Sequence, residues 1–228
     1  MTAMPRSVAL TVLTVVLGAI ATAHAQQSAA QDGGQSRISL PPPRTDGLVS
    51  VEAAIQARRS IRTFTDEALT AEQIGQLAWA AQGITERSRG LRATPSAGAT
   101  YPLDIYMVTA EGVYSYRPAE HALVAHRSGD LREPLARGAL GQACVRAAPL
   151  VIVVTAVYER TAGRYGDRAE RYVHIEVGHL GQNVHLQAVA MGLGSVPVGA
   201  FDPAAIGELL NLPREQVPLY LIPVGHPG

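Results

Sequence analysis

Apolar residues recur along the chain with two periods, and the period separates helices from strands. In "LTAEQIGQLAWAAQG", Ile74, Leu77, Ala78 and Ala81 fall three or four apart, the spacing that puts side chains on one helical face. Thr70 and Gln73 bracket its start as a capping box, Leu69 and Ile74 form an apolar staple across it, and Gly83 stops it. The longest periodic segment is "RYVHIEVGHLGQNVHLQAVAMG". Val173, Val177, Leu180, Val184 and Val189 make its inward stripe, and Gly178 and Gly181 leave room for a neighbour. Shorter helices are expected over residues 51–57 behind Ser50 as N-cap, over 128–143 with Pro134 inside, and from Pro203 behind Asp202 as N-cap.

Alternation marks the strands. "LDIYMVTA" is one, and "GVYSYRP" with "HALVAH" reads as a hairpin or meander. "PLVIVVTAVY" is an almost continuous β-branched apolar run, as expected where both faces of a sheet are covered. "SVPVGAF" is a strand or a glycine-containing turn, and "VPLYLIPVG" supplies a last strand. Helices and strands are mixed without a regular βαβ march and without an internal repeat, which predicts a single α+β domain over residues 48–228.

The first 25 residues combine Arg6, an apolar run over residues 8–20 and a small-residue Ala-His-Ala end. This is the pattern of a secretory signal, and the run is shorter than the roughly 20 residues that span a bilayer. A periplasmic or secreted protein without permanent membrane insertion is expected. Residues 26–47, rich in Gln, Gly, Ser and Pro, read as a flexible leader. Nineteen basic residues balance nineteen acidic ones, so no broad positive field favours nucleic acid. Cys144 is the sole cysteine, so no intrachain disulfide is possible.

Local charge is uneven. "ARRSIRTF" gathers Arg58, Arg59 and Arg62 around Ser60, a set that by composition alone reads first as a solvated face and otherwise as a site able to hold an anion by charge-assisted hydrogen bonds. Arg87, Arg89 and Arg92 form a second cluster. "TPSAGATYP" offers small residues, Pro95, Ser96, Ala97 and Gly98, that either make an ordinary turn or let backbone groups approach a flat ring. "GLGSVPVG" lacks both the dinucleotide glycine spacing and the Gly-Lys-Ser/Thr of a P-loop. His174, His179 and His185 lie in the long helix without a zinc-type spacing, so no metal is expected. Ser96, Ser195 and Cys144 lack the setting of a protein nucleophile.

Four ordered segments, "ARRSIRTFTDEALTAEQIGQLAWAAQGI", "RATPSAGATYPLDIYMV", "RYVHIEVGHLGQNVHLQAVAMGLGSVPVGAF" and "PLYLIPVGHP", together resemble the nitroreductase superfamily. The similarity runs from about Leu48 to Pro227 and is nearest to the branch of azoline-oxidising dehydrogenases of thiazole and oxazole peptide biosynthesis. It implies a central, mainly antiparallel sheet flanked by helices, and a homodimer holding two FMN at the subunit interface. On this resemblance Arg58, Arg59, Ser60 and Arg62 take the phosphate, ribityl chain and polar ring edge. Ser96, Ala97 and Gly98, with Pro95, match an interface loop donated by the other subunit; Pro197, Val198 and Gly199 match a turn lining the ring face.

The implied chemistry is hydride transfer from a donor such as NADH or NADPH to a small conjugated acceptor, a nitroaromatic or a quinone. The resemblance also admits a flavin-binding protein without turnover, or oxidation of an azoline by the reverse flow of hydride. The azoline branch uses a Lys-Tyr pair, matched here by Arg164 and Tyr165 in "GRYGDRAERY". An arginine stays protonated and orients an anion rather than accepting a proton. Ala99 and Tyr101 stand where ordinary nitroreductases carry Asn and Gln. The chain ends in "GHPG" where they continue to a basic phosphate contact, with His226 as the available substitute.

Overall fold

The computed structural model describes residues 36–228; the signal-like segment lies outside them. Seven strands form one sheet in the order β1-β6-β5-β4-β7-β9-β8, and all the pairings are antiparallel. The strands are β1 (Arg37–Ser39), β4 (Leu103–Val108), β5 (Gly112–Arg117), β6 (Ala122–Ser128), β7 (Leu150–Ala156), β8 (Gly194–Ser195) and β9 (Val217–Gly225). A two-stranded ribbon, β2 (Ile84–Glu86) with β3 (Leu91–Arg92), stands apart. Strand β1 pairs with β6 and Leu40 is buried, so part of the segment read as a flexible leader belongs to the sheet.

Strand β7 lies inside the sheet between β4 and β9 and is buried along its whole length. Leu150, Ile152 and Val154 face α2 (Ala71–Gln82) and α6 (Ala169–Ala190), where Leu77, Ala81, Val173, Leu180 and Val184 complete one core. Val151 and Val153 face the other side, packing with Leu135, Val145, Ile206 and Leu210 of α3 (Arg132–Gly138), α4 (Ala143–Ala147), α7 (Pro203–Leu209) and its end. Period two on the strand thus serves two helical layers.

The capping box of α2 is formed, with Thr70 accepting from Gln73 N and Gln73 accepting from Thr70 N. Ser50 caps α1 (Val51–Ala57) and Asp202 caps α7, as expected. The single helix expected over 128–143 is instead the end of β6 followed by α3 and α4. Leu140 and Gly141 at φ 59° and 76° break it, since left-handed residues end an α-helix. Pro134 sits in the first turn of α3, where its missing N–H has no partner to lose. In α6 the buried stripe ends on Ala188 rather than Val189. Gly181 packs close to Tyr220, whereas Gly178 is exposed.

Candidate functional site

Helix α1 ends because Arg58 leaves helical geometry, its N–H reaching back to Ala54 O. The chain then extends along the sheet edge, with Ser60 bridged to Ser195 and Ile61 N donating to Ser195 O at 3.0 Å. A side chain at Gly194 would collide with Ile61 at 2.7 Å, so glycine sets this close approach. The C-terminal residues close the other side: Thr65 N donates to His226 O at 2.9 Å and Gly228 N to Thr63 O at 3.1 Å. His226 itself turns to Glu67, 3.6 Å away, and not to the arginines.

Arg58 Nη1 lies 3.1 Å from His185 Nε2, and His185 Nδ1 lies 2.6 Å from Ser195 Oγ. A guanidinium only donates, so Nε2 accepts and Nδ1 carries the proton that Ser195 receives. Burial, and then the positive charge of Arg58, hold the His185 pKa below its ordinary value. The imidazole is therefore neutral and fixes Arg58 from behind. Arg58 keeps its other N–H groups, and Arg62 all of its side-chain ones, without a protein partner among the described residues. Arg59 folds back onto Gln56 O and Arg58 O, at 2.9 and 2.7 Å, closing the end of α1.

Val198 exchanges hydrogen bonds of 2.7 and 3.0 Å with Leu221, so Pro197, Val198 and Gly199 run along β9 next to this edge. Val198 points inward, while a Cβ on Gly199 would meet only Tyr220 at 3.9 Å. Space above Gly199 is left open.

The second set of expected residues gathers elsewhere. Gly98 has φ 59°, and a side chain there would strike Tyr165 Oη at 2.6 Å and Arg164 Nη1 at 2.9 Å. Arg164 donates to Gly98 O at 3.3 Å. Ala99 and Tyr101 are also left-handed, at φ 55° and 46°; for residues with a Cβ this conformation is held by surrounding bonds. Ser96 Oγ accepts from Tyr101 N at 2.9 Å, Thr100 Oγ1 meets Thr161 Oγ1 at 2.8 Å, and Arg92 stacks 4.4 Å above the Tyr101 ring.

Beneath this loop lies Glu176 of α6, 3% exposed, beside Gln82 at 1%. Arg92 Nη1 donates to Gln82 Oε1 at 2.9 Å, which leaves Gln82 Nε2 and Glu176 Oε1 buried without a hydrogen-bond partner. Burial pushes the Glu176 carboxyl up to about 7, against the opposing pull of Ser96, Arg92 and Gln82.

The structure thus joins Arg58, Ser60 and Arg62 with Pro197, Val198 and Gly199. It joins Ser96, Ala97 and Gly98 with Arg164 and Tyr165. It does not join the two sets within one chain: Glu176 under one and His185 behind the other lie nine residues apart on α6, roughly 13 Å along its axis. Sequence reasoning missed the role of His185, weighed as a metal ligand, and missed Glu176. A charged residue three after Val173 and four before Leu180, within the apolar stripe, was the available signal. Among the described residues no cluster suited to a metal occurs.

Residues 55–226 match the sequence profile of the Nitroreductase family. A nitroreductase-family protein of Methanocaldococcus jannaschii is 43% identical over 183 residues, covering 78% of this chain and 91% of that one. The FMN reductase [NAD(P)H] of Bacillus subtilis is 25% identical over 184 residues; the match covers 75% of this chain and 63% of the longer relative. Among solved structures, a nitroreductase-family protein of Ralstonia eutropha superposes with TM-score 0.77 at 29% identity, covering 84% of this chain and 90% of that one. The NADPH:FMN oxidoreductase of Vibrio harveyi superposes with TM-score 0.59 at 27% identity over 78% and 68% of the two chains. With this fold, and with its donor-rich edge beside an open glycine turn, the chain belongs to the Nitroreductase family and is a flavin-dependent oxidoreductase.

Proposed function

We propose that the protein acts as a homodimer in which FMN lies between the Arg58-Ser60-Arg62 edge of one subunit and the Ser96–Gly98 loop of its partner. Hydride passes there from NADH or NADPH to a small conjugated acceptor such as a quinone or nitroaromatic. The observation that carries this reading is the separation of the two sets within one chain, each with chemistry that the other lacks.

The residues present fit the cofactor. Arg58 and Arg62 offer guanidinium N–H groups without a protein counter-ion among the described residues, and Ser60 is exposed between them. This donor set suits a phosphate. When bound, FMN supplies the acceptance and release of hydride at its ring. His185 holds Arg58 in place, and the open turn at Gly199 leaves room for a flat group. Arg164 and Tyr165 line the rim beside Gly98, where Arg164 can orient an anionic acceptor but cannot take up a proton. All nineteen basic residues are arginines, so the lysine base expected of an azoline dehydrogenase has no counterpart, and reduction of an acceptor is favoured. The signal-like start motivates a periplasmic or secreted location, which the intact mass of exported protein tests.

Mixed dimers test the shared site. One subunit carries Arg58→Ala with Arg62→Ala and the other carries Gly98→Val. Neither homodimer should retain FMN, whereas the mixture should retain one FMN per dimer, because one of its two sites escapes both changes. Retention by a monomer in light scattering, or no recovery in folded mixed dimers, overturns the shared site.

A further inference from the structure

We propose that Glu176 and Ser96 form a proton path from the protein interior to an acceptor held at the Ser96–Gly98 loop, so that each hydride delivered there is matched by a proton. The inference rests on the flavin reading above; it gives Ser96, already placed at the cofactor, a proton-transfer role, and gives Glu176 its first. Glu176 is buried on α6 with Oε1 unpartnered, although Arg92 is near enough for its charge to act on the carboxyl. Arg92 instead donates to Gln82 Oε1 and stacks on Tyr101. That orientation fixes the Gln82 amide, since reversing it would set N–H against N–H, and so Nε2 also stays unpaired. A purely structural acid left half-satisfied costs stability.

Ser96 is the outlet. A serine hydroxyl has one proton and two lone pairs. One lone pair accepts Tyr101 N–H at 2.9 Å, leaving the second for the acid form of Glu176 and the proton for the loop surface, where Ser96 is half exposed. The Ser96 hydroxyl lies beside the Glu176 carboxyl, in a loop that is left-handed at Gly98, Ala99 and Tyr101. The charged groups around the acid are few. Arg92 faces it from β3, with the Arg160–Asp104 pair behind Arg92, and the neutral Gln82 faces it from α2. On α6 itself, His179 one turn on is exposed. The acid therefore holds its proton near neutral pH, where a donor can both give and regain it.

For a quinone the balance closes. Hydride from the reduced cofactor adds one hydrogen and two electrons, giving the hydroquinone monoanion. The Ser96 hydroxyl proton moves to its anionic oxygen, the Glu176 carboxylic proton replaces it on Ser96, and the carboxylate left behind is reprotonated from solvent. Glu176 acts only through Ser96.

The experiment compares wild type with Glu176→Gln, and with Ser96→Ala in case the first variant does not fold. Uptake of FMN is measured first by fluorescence. The reduced proteins are then mixed in stopped flow with menadione, which needs a proton, or ferricyanide, which takes electrons alone. Both variants should lower the ratio of the menadione rate to the ferricyanide rate roughly a hundredfold and flatten the pH profile of menadione reduction near neutrality, with partial rescue by small carboxylic acids. Infrared titration of the flavin-free protein should show a carboxylic acid deprotonating near neutral pH that is lost in Glu176→Gln. Equal slowing of both acceptors, or an unchanged menadione profile, overturns the path alone. Wild type that takes up no FMN overturns the flavin reading, and the path with it.

Discussion

His185 and Glu176 are both buried on α6, nine residues apart, yet His185 has a partner at each ring nitrogen while Glu176 has a carboxyl oxygen with none. Around His185, sheet edge and α1 end are tied together by backbone bonds, and the polar groups left over are the guanidiniums of half-buried Arg58 and exposed Arg62. Around Glu176, a strained loop sits above an incomplete network. One region is built to present fixed positive charge. The other is built to hold a proton that can move.

The two regions lie along the same helix, so the largest effect should come from damaging that helix between them. Leu180→Ala removes a fully buried side chain packed against the β7 face and should cost about 2–5 kcal/mol in urea unfolding. It should also weaken FMN binding and disturb the Glu176 titration together. Loss of one without the other would mean that α6 does not couple the regions.

Next, the two titratable groups of the comparison should give opposite pH dependences of stability. Glu176 has a folded value raised from 4.5 to about 7. The folded state thus binds more protons between those limits, and stability falls as pH rises through them, by roughly 3 kcal/mol at most. Glu176→Gln should flatten that slope in denaturant titrations at several pH values. His185 has a lowered value, so there the unfolded state binds more protons and stability falls as pH drops below the ordinary histidine range. His185→Gln, whose carboxamide can still accept from Arg58, should remove that acid-side loss.

A smaller and more local effect is expected for Arg59→Ala. Its guanidinium is spent on the carbonyls that end α1, so the change should cost about 1 kcal/mol of stability and alter FMN affinity little. A large loss of FMN affinity would return Arg59 to the ligand-facing set.

Much of this contrast was legible in the sequence, and the part that was not has a physical cause. Period and capping residues locate α2, α6, α7 and the strands β4 to β7, because burial and end satisfaction act within a few residues of chain. The resemblance brought out Arg58, Ser60 and Arg62 as a set. It could not show that Arg59 turns away, because consecutive residues at a helix end point in unrelated directions. Nor could it show His185 behind Arg58, a contact spanning 127 positions. The break at Leu140 and Gly141 was hidden because a leucine in left-handed geometry carries no local signature.

The most direct test of the central claim compares FMN with riboflavin, which has the ring and lacks the phosphate, in fluorescence titrations of wild type and Arg62→Ala. A charge-assisted phosphate contact predicts a loss of ~1.5–3 kcal/mol for FMN, roughly tenfold or more in affinity, and a much smaller loss for riboflavin. Arg214→Ala, at an exposed position distant in the chain, should change neither. Equal losses of the two flavins on Arg62→Ala would contradict the claim that this edge holds the phosphate.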